Sequence, residues 1–294
     1  MLNEPVNIIF IHRGKADYLT VALKCARGSN PEANIFLISD NANDKIDGII
    51  YKDINNYFNS AKQFAKNYEH LSTNTYEFEL FCIERWFILR DFTKTNKLER
   101  YFHADSDVLI FSDLAVEWPK FSNFSFTLSE NTCGHNSFWN NREALDNFCN
   151  FIENIYNKKD LDGYNKTLDF WNDYKLTKKP GGICDMTLFY FYQKKHPTII
   201  GETAQIIDGS TYDHNFSSNI QGGVSYKNIL GIKKIIWKNN LPYVKNSSGI
   251  LVRLNTLHLQ GWAKKFSSKF YRREKNILLY FLKEKILIYL KTHF

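Results

Sequence analysis

Short apolar runs alternate with amphipathic stretches along the chain. VNIIFIH (Val6 to His12) is an apolar run ending in polar residues, which predicts a buried first strand. ADYLTVALKCARGS has helical spacing, with a helix stop expected at Gly28. ANIFLISD (Ala33 to Asp40) predicts a second strand and GIIYKDI a shorter third. From Tyr76 to Thr93 the residues Phe78, Phe81, Cys82, Trp86 and Leu89 recur three to four apart, the apolar stripe of a long helix. KLERYFHADSDVLIF then predicts a fourth strand, FSFTLSE (Phe124 to Glu130) another, and NREALDNFCNFIENIYNKK a helix. GGICDMTLFYFYQKKHP reads as a helix that begins at a glycine turn and is closed by Pro197. TIIGETAQIID, GGVSYKN, KKIIWKN and GILVRLNTLHLQG read as strands or strand–turn units. Such alternation predicts an α/β fold with a mostly parallel central sheet flanked by helices. No clear linker, internal repeat or low-complexity segment interrupts it.

Composition sharpens this in one place. With 44% hydrophobic and 16% aromatic residues, the 294-residue chain can build a sizeable core, so disorder is not expected. The net charge of +7 is uneven. Nine Lys/Arg against two Glu between Trp262 and Phe294 account for all of it. A nucleic-acid binder would spread its charge over a binding face, so no nucleic-acid partner is expected. The division predicted is a main domain over residues 1–264 and a basic amphipathic helical tail over 265–294. The tail's apolar runs, Ile277 to Leu282 and Ile286 to Leu290, are split by Lys283, Glu284 and Lys285 and are too short to span a bilayer. They suit an interfacial helix on an anionic membrane, or a helix packed on the domain or on a second copy. MLNEPVNIIFIHRG lacks the basic and long apolar regions of a signal peptide. A cytoplasmic protein, peripheral on the inner face of the membrane, is therefore expected. The five cysteines are odd in number and form no C-x-x-C pair, which suggests reduced, buried thiols.

The chemistry centres on YFHADSDVLIF. If the strand continues through them, Asp105 and Asp107 point the same way, since strand side chains alternate faces. Two close carboxylates repel and are costly to bury unless a cation joins them. A hard divalent ion suits such oxygen ligands and keeps places for water and substrate phosphates. The alternative is a turn with an Asp cap, although the apolar VLIF that follows is more than a solvated turn needs. A calcium loop is excluded, because Ile110 stands where that loop requires glycine.

Three pieces together resemble the nucleotide-sugar glycosyltransferases of the GT-A fold. They are the strand–helix–strand ending in IFLISD, the D-S-D after a long helix bearing Arg85, and LHLQGWAK near the C-terminus. In the last piece His258, Gly261 and Lys264 form an H-x-x-G-x-x-K pattern similar to that of retaining glycogenin-like and bacterial lipopolysaccharide galactosyltransferase-like families. The resemblance implies a Rossmann-like catalytic domain that moves a sugar from a nucleotide sugar, expected to be a UDP-sugar, to a hydroxyl of a glycan or lipid-linked acceptor, with retention. It implies Asp105, Asp107 and His258 as ligands of Mn²⁺ or Mg²⁺, with imidazole favouring Mn²⁺. Lys264 would contact the diphosphate, which Gly261 lets approach. His12 and Asp40 would grip the nucleoside, and Arg85 the donor. Asp107 and Asp185 are the candidate catalytic carboxylates, with Asp185 serving as base if the anomeric centre inverts. Asn136 and Trp139, in TCGHNSFWNN, are candidate sugar contacts.

Each residue has a plainer reading. His258 can be a core histidine, Arg85 can pair along its helix, Asp40 and Asp185 can be caps, and Lys264 can be a solvated charge. Two other functions compete. One is a haloacid-dehalogenase-type phosphatase with Asp105 as nucleophile, whose usual Gly-Thr-like pair is replaced by Val108-Leu109. The other is a non-enzymatic sugar- or membrane-binding module.

Overall fold

A computed structural model of the chain describes residues 4–40, 45–229, 231–274 and 280–282. Its elements run β1 (Asn7–His12), α1 (Asp17–Ser29), β2 (Asn34–Ser39), β3 (Ile49–Asp53), α2 (Asn59–Ala65), α3 (Tyr76–Thr95), β4 (Tyr101–Ala104) and β5 (Val108–Ile110). Next come α4 (Leu114–Glu117), β6 (Phe126–Leu128), β7 (Asn136–Trp139), α5 (Arg142–Tyr156), α6 (Leu161–Leu176), α7 (Asp185–Lys195), β8 (Ile200–Glu202) and β9 (Ser210–Tyr212). Two short ribbons follow, β10 (Ile220–Gln221) with β11 (Val224–Ser225) and β12 (Asn228–Ile229) with β13 (Ile232–Lys233). The described elements close with β14 (Ile236–Lys238), β15 (Leu241–Lys245), β16 (Leu251–His258) and α8 (Ser267–Tyr271).

The central sheet has the order β3-β2-β1-β4-β7-β6-β8. It is mostly parallel, as the sequence predicts; β7 alone runs against its neighbours β4 and β6. Period-two alternation explains why β1 and β2 are apolar throughout. Ile8 and Phe10 pack with α1 on one face, and Ile9 and Ile11 pack with α3 on the other. Ile35 and Leu37 divide from Phe36 and Ile38 in the same way. A second sheet, β14-β15-β16-β5, joins the first face, with β9 pairing to β16.

Several boundaries differ from the expectation. α1 runs past Gly28 to Ser29, and Asn30 ends it. The single strand expected through Asp105 and Asp107 is two strands in different sheets, joined by a turn in which Val108 N–H donates to the Asp105 carbonyl at 3.0 Å. TCGHNSFWNN contains β7, a fully buried central strand. Two helices escape the apolar-stripe reading. α2 is only seven residues long, and α6 buries only Gly163 and Thr167. What marks α6 in the sequence is its cap, since the Asp160 carboxylate accepts from Gly163 N–H at 2.9 Å.

Most of the basic tail lies outside the described residues. The described part of it, 265–274 and 280–282, includes α8, and Phe266, Phe270 and Phe281 are buried in the core. Among the described residues, no helix is long and apolar enough to cross a membrane.

Candidate active site

The turn after β4 and the end of β16 meet because β16 pairs antiparallel with β5, which sets His258 opposite Val108. Residues some 150 positions apart in sequence thus become neighbours by strand register. Leu259 N–H donates to the Asp107 carbonyl at 3.0 Å, and Asp105 N–H donates to the His135 carbonyl at 2.8 Å. Asp105, Asp107 and His258 each offer a ligand atom, and these atoms lie within 4.8 Å of one another. The turn achieves the convergence that a continuous strand was expected to give.

Immediately beyond, Gly261 adopts φ +56°, a left-handed conformation that favours glycine. It starts a six-residue 3₁₀ helix, Gly261–Phe266. Since that helix has about three residues per turn, Lys264 returns to the side of Gly261. Its Nζ lies 3.1 Å from Asp107 Oδ2. The spacing of H-x-x-G-x-x-K is therefore a strand end, a reversal and one turn.

A cleft of about 730 Å³ contains this group. It is lined by eight of the eleven site residues expected from sequence: His12, Arg85, Asp105, Asp107, Asp185, His258, Gly261 and Lys264. Asp40 does not line it; its carboxylate instead accepts from Gly14 N–H at 2.8 Å and fixes the loop after β1. Asn136 and Trp139 are also misplaced by the sequence reading. Trp139 is fully buried, stacked on Phe126, and Asn136 is spent inside the protein on Thr203, Thr256 and the Asp213 carbonyl. Neither reaches the cleft.

Sequence reasoning missed other lining groups. Phe78, Phe81, Cys82 and Arg85 occupy one face of α3, at i, i+3, i+4 and i+7. Phe78, expected in the core, is 59% exposed at the cleft. The i to i+7 span places it about 10 Å along the axis from Arg85. Phe170 and Tyr174 from α6, with Met186, extend this apolar wall. Arg13 lies over the rings of Phe58 and Phe81, at 4.7 and 4.3 Å. Burial disfavours the thiolate form in the cleft, pushing Cys82 and Cys133 up strongly and Cys184 to about 11.

Charges in the cleft are tightly paired. Arg85 bridges two carboxylates, with Nη1 2.5 Å from Asp105 Oδ1 and Nη2 2.5 Å from Asp185 Oδ2. Trp86 Nε1–H also donates to Asp185 Oδ2, at 3.0 Å, and Met186 N–H donates to Oδ1 at 3.0 Å. Burial opposes ionisation of Asp105, but Arg85 and His103 outweigh it and hold its pKa well below the usual carboxylate range. Burial likewise opposes ionisation of Asp107, which His258 and then Lys264 reverse. The pair keeps its negative charge because Arg85, His103, His258 and Lys264 stand around it.

The donor set also fits a metal. His258 Nδ1–H donates to the His214 carbonyl at 2.6 Å, which leaves Nε2 to face Asp107 Oδ1 at 3.5 Å. A ring held through Nδ1 with Nε2 turned to two carboxylates is the usual arrangement of a ligating histidine.

The surrounding histidines predict an acid-sensitive fold. Burial pushes His12, His103, His135 and His214 below the ordinary imidazole range. For His258 burial acts the same way, but Asp107 outweighs it and raises the value. A lowered histidine contributes stability that is present above its unfolded value and lost as pH falls through about 6.5 toward the folded value. The raised His258 acts oppositely, adding stability as pH falls through its folded value. Burial also raises Glu84, and Glu202 to about 7, and these carboxylates act with His258, since their protonation adds stability as pH falls. With four lowered histidines against these three groups, the protein in EDTA should be less stable to urea at about pH 5.5 than at about pH 7.5. The expected loss is about 1.4 kcal/mol for each fully buried imidazole that stays neutral one unit below its unfolded value. Equal stability at the two pH values contradicts this account.

No family model matches the chain, and no curated protein matches it in sequence. Among solved structures it is similar to mouse xyloside xylosyltransferase 1 in its apo form, with TM-score 0.44 and 10% identity over 67% of this chain and 84% of that one. It is similar to an active-site mutant of LgtC, with TM-score 0.46 and 12% identity over 90% and 95% of the two chains. It is also similar to the glycosyltransferase GlyE of Streptococcus pneumoniae TIGR4, with TM-score 0.38 and 11% identity over 73% of this chain and 48% of that one. The likeness is distant, and the side chains of the cleft carry the functional assignment.

Proposed function

We propose that the protein is a metal-dependent glycosyltransferase that moves a sugar from a UDP-sugar to a hydroxyl of a glycan or lipid-linked acceptor. The observation that carries this reading is the meeting of Asp105, Asp107 and His258 within 4.8 Å, beside Lys264, in a cleft large enough for a sugar nucleotide. The ion would be held by the carboxylates of Asp105 and Asp107 and by His258 Nε2, with Mn²⁺ favoured over Mg²⁺ by the imidazole. When bound, it supplies positive charge to the diphosphate that leaves the anomeric carbon.

The chain's own groups do the rest. Lys264 offers a second positive charge at the same place, and Gly261 presents backbone without a side chain. His12, joined to Ser106 Oγ at 3.1 Å, lines the cleft with Tyr18 and Arg13 as the nucleoside side. Phe78, Phe170 and Tyr174 form the wall for the acceptor. The occupied oxygens of Asp185 support retention. Arg85, Trp86 and Met186 already donate to this carboxylate, which assigns it to orienting Arg85. A departing phosphate oxygen is then the proton acceptor.

Thermal stability with UDP, GDP and CMP, each with and without Mn²⁺, tests the reading. UDP should stabilise the protein only when Mn²⁺ is present; at about 100 times Kd the gain is about 2.7 kcal/mol. Indifference to every nucleotide would sink it. A panel of UDP-sugars followed for donor hydrolysis then identifies the sugar.

A further inference from the structure

Behind His258 lies a buried ion pair. Lys233 and Asp213 are both fully inaccessible, with Nζ 2.5 Å from Oδ1. Taking both charges out of water is costly, and apolar residues of similar volume often stabilise a fold as well or better. Stability alone is thus a poor reason to place a lysine here.

Its connections suggest another. The Lys233 ammonium donates to three acceptors: Asp213 Oδ1, the Asn215 carbonyl at 2.8 Å and Gln221 Oε1 at 3.0 Å. The second oxygen of Asp213 accepts from the backbone N–H of His258 at 2.9 Å. Gln221 Oε1 also accepts from the backbone N–H of His214 at 2.9 Å. The His214 carbonyl is the atom that holds His258 Nδ1. One lysine is therefore tied to His258 by two routes, through Asp213 to its backbone and through Gln221 and His214 to its ring. A third tie comes from the main chain. Lys233 N–H donates to the Phe216 carbonyl, and Phe216 N–H donates to the His258 carbonyl, both at 3.1 Å. His135 closes the arrangement by stacking on the His258 ring at 3.8 Å.

We propose that Lys233, Asp213 and Gln221 are positioning residues for His258, setting the place of its ring and leaving Nε2 as the atom offered to a divalent ion. The inference rests on the metal site proposed above. None of the three touches reacting atoms. They hold in place the one ligand that comes from the far end of the chain, whereas Asp105 and Asp107 share a short turn. Partners that orient a metal-bound histidine are commonly worth about 10–100-fold in metal affinity.

Mn²⁺ titration of the full chain, followed by electron paramagnetic resonance, tests this. The pair Asp213→Leu with Lys233→Met removes both charges together and keeps the space filled. Its circular dichroism should match wild type, while Kd for Mn²⁺ should rise about 10–100-fold. In a His258→Ala background the same pair should change Kd by less than about twofold, because the ligand it positions is gone. A purely structural pair would act equally in both backgrounds, or in neither, and either result overturns the proposal. If the double variant does not fold, Gln221→Met decides, since it cuts the tie to His214 and spares the ion pair. It should weaken Mn²⁺ binding several-fold, and wild-type affinity there overturns the proposal. No Mn²⁺ binding by wild type would overturn the metal site, and this inference with it. Wild-type binding with unaffected variants overturns the inference alone.

Discussion

Asp107→Asn is expected to lower kcat/KM for sugar transfer by about 10³-fold or more while leaving the fold intact. A factor of 10³ corresponds to about 4 kcal/mol of transition-state stabilisation. That is the scale expected when a metal ligand and the charge it carries are lost together. Asp107 is where the site's separate parts meet. His258 Nε2 lies 3.5 Å from one of its oxygens and Lys264 Nζ 3.1 Å from the other. Asparagine keeps the shape of the side chain and loses the charge that draws these cations and the ion to one point. The fold should tolerate the change, because Lys264 is 34% exposed and can be solvated. Donor hydrolysis at increasing Mn²⁺ gives the measurement. Partial recovery at high Mn²⁺ locates the loss in metal binding, and full activity at ordinary Mn²⁺ removes Asp107 from the site. The competing phosphatase reading makes the opposite demand, since its nucleophile would be Asp105, whose oxygen is already held by Arg85 at 2.5 Å.

The parts of the molecule legible in the sequence share a cause. β1 and β2 are buried on both faces, so they announce themselves as unbroken apolar runs. α5 buries one stripe and shows it as helical spacing. Where burial and polarity part company, the pattern misleads. β7 carries Asn136 and Ser137 into the core because each finds a partner there, so residues of a fully buried strand read as candidate sugar contacts. α6 has almost nothing to bury, and only its Asp160 cap betrays it. Phe78 obeys the helical stripe and yet faces the cleft, since periodicity tells which residues share a face but not what covers it.

The site was more legible than its surroundings. D-S-D and H-x-x-G-x-x-K are local spacings, and local spacing survives in a turn as well as in a strand. What no spacing could supply is the scaffold around them. Lys233, Gln221 and Asp213 reach His258 through the folding of several short strands. Arg85 joins Asp105, 20 residues away, to Asp185, 100 residues away.

Arg85→Met is the second large effect, and its signature is a stability that becomes dependent on metal. In EDTA the variant should lose about 3–5 kcal/mol, the scale on which one partner of a buried ion pair is missed. Arg85 is 16% exposed, and the carboxylates it bridges, Asp105 and Asp185, are 21% and 5% exposed. Without the guanidinium both must ionise in a poorly solvated place or take up a proton. Asp185 keeps Trp86 and Met186 as donors, and among the described side chains that pair with it Asp105 keeps His103, at 3.4 Å. Mn²⁺ gives Asp105 a new cation and gives Asp185 none. Part of the loss should therefore return when Mn²⁺ is added, and the gain in stability on adding Mn²⁺ should exceed that of wild type. Arg90→Met is the control. Arg90 pairs with the more exposed Glu153 at 3.2 Å, so its loss should cost about 1 kcal/mol and be indifferent to metal. Urea unfolding of the three proteins, each in EDTA and in Mn²⁺, separates the cases. If Arg85→Met proves no worse than Arg90→Met, the two carboxylates do not depend on this bridge. If it is worse but Mn²⁺ restores nothing, Asp105 does not meet the ion.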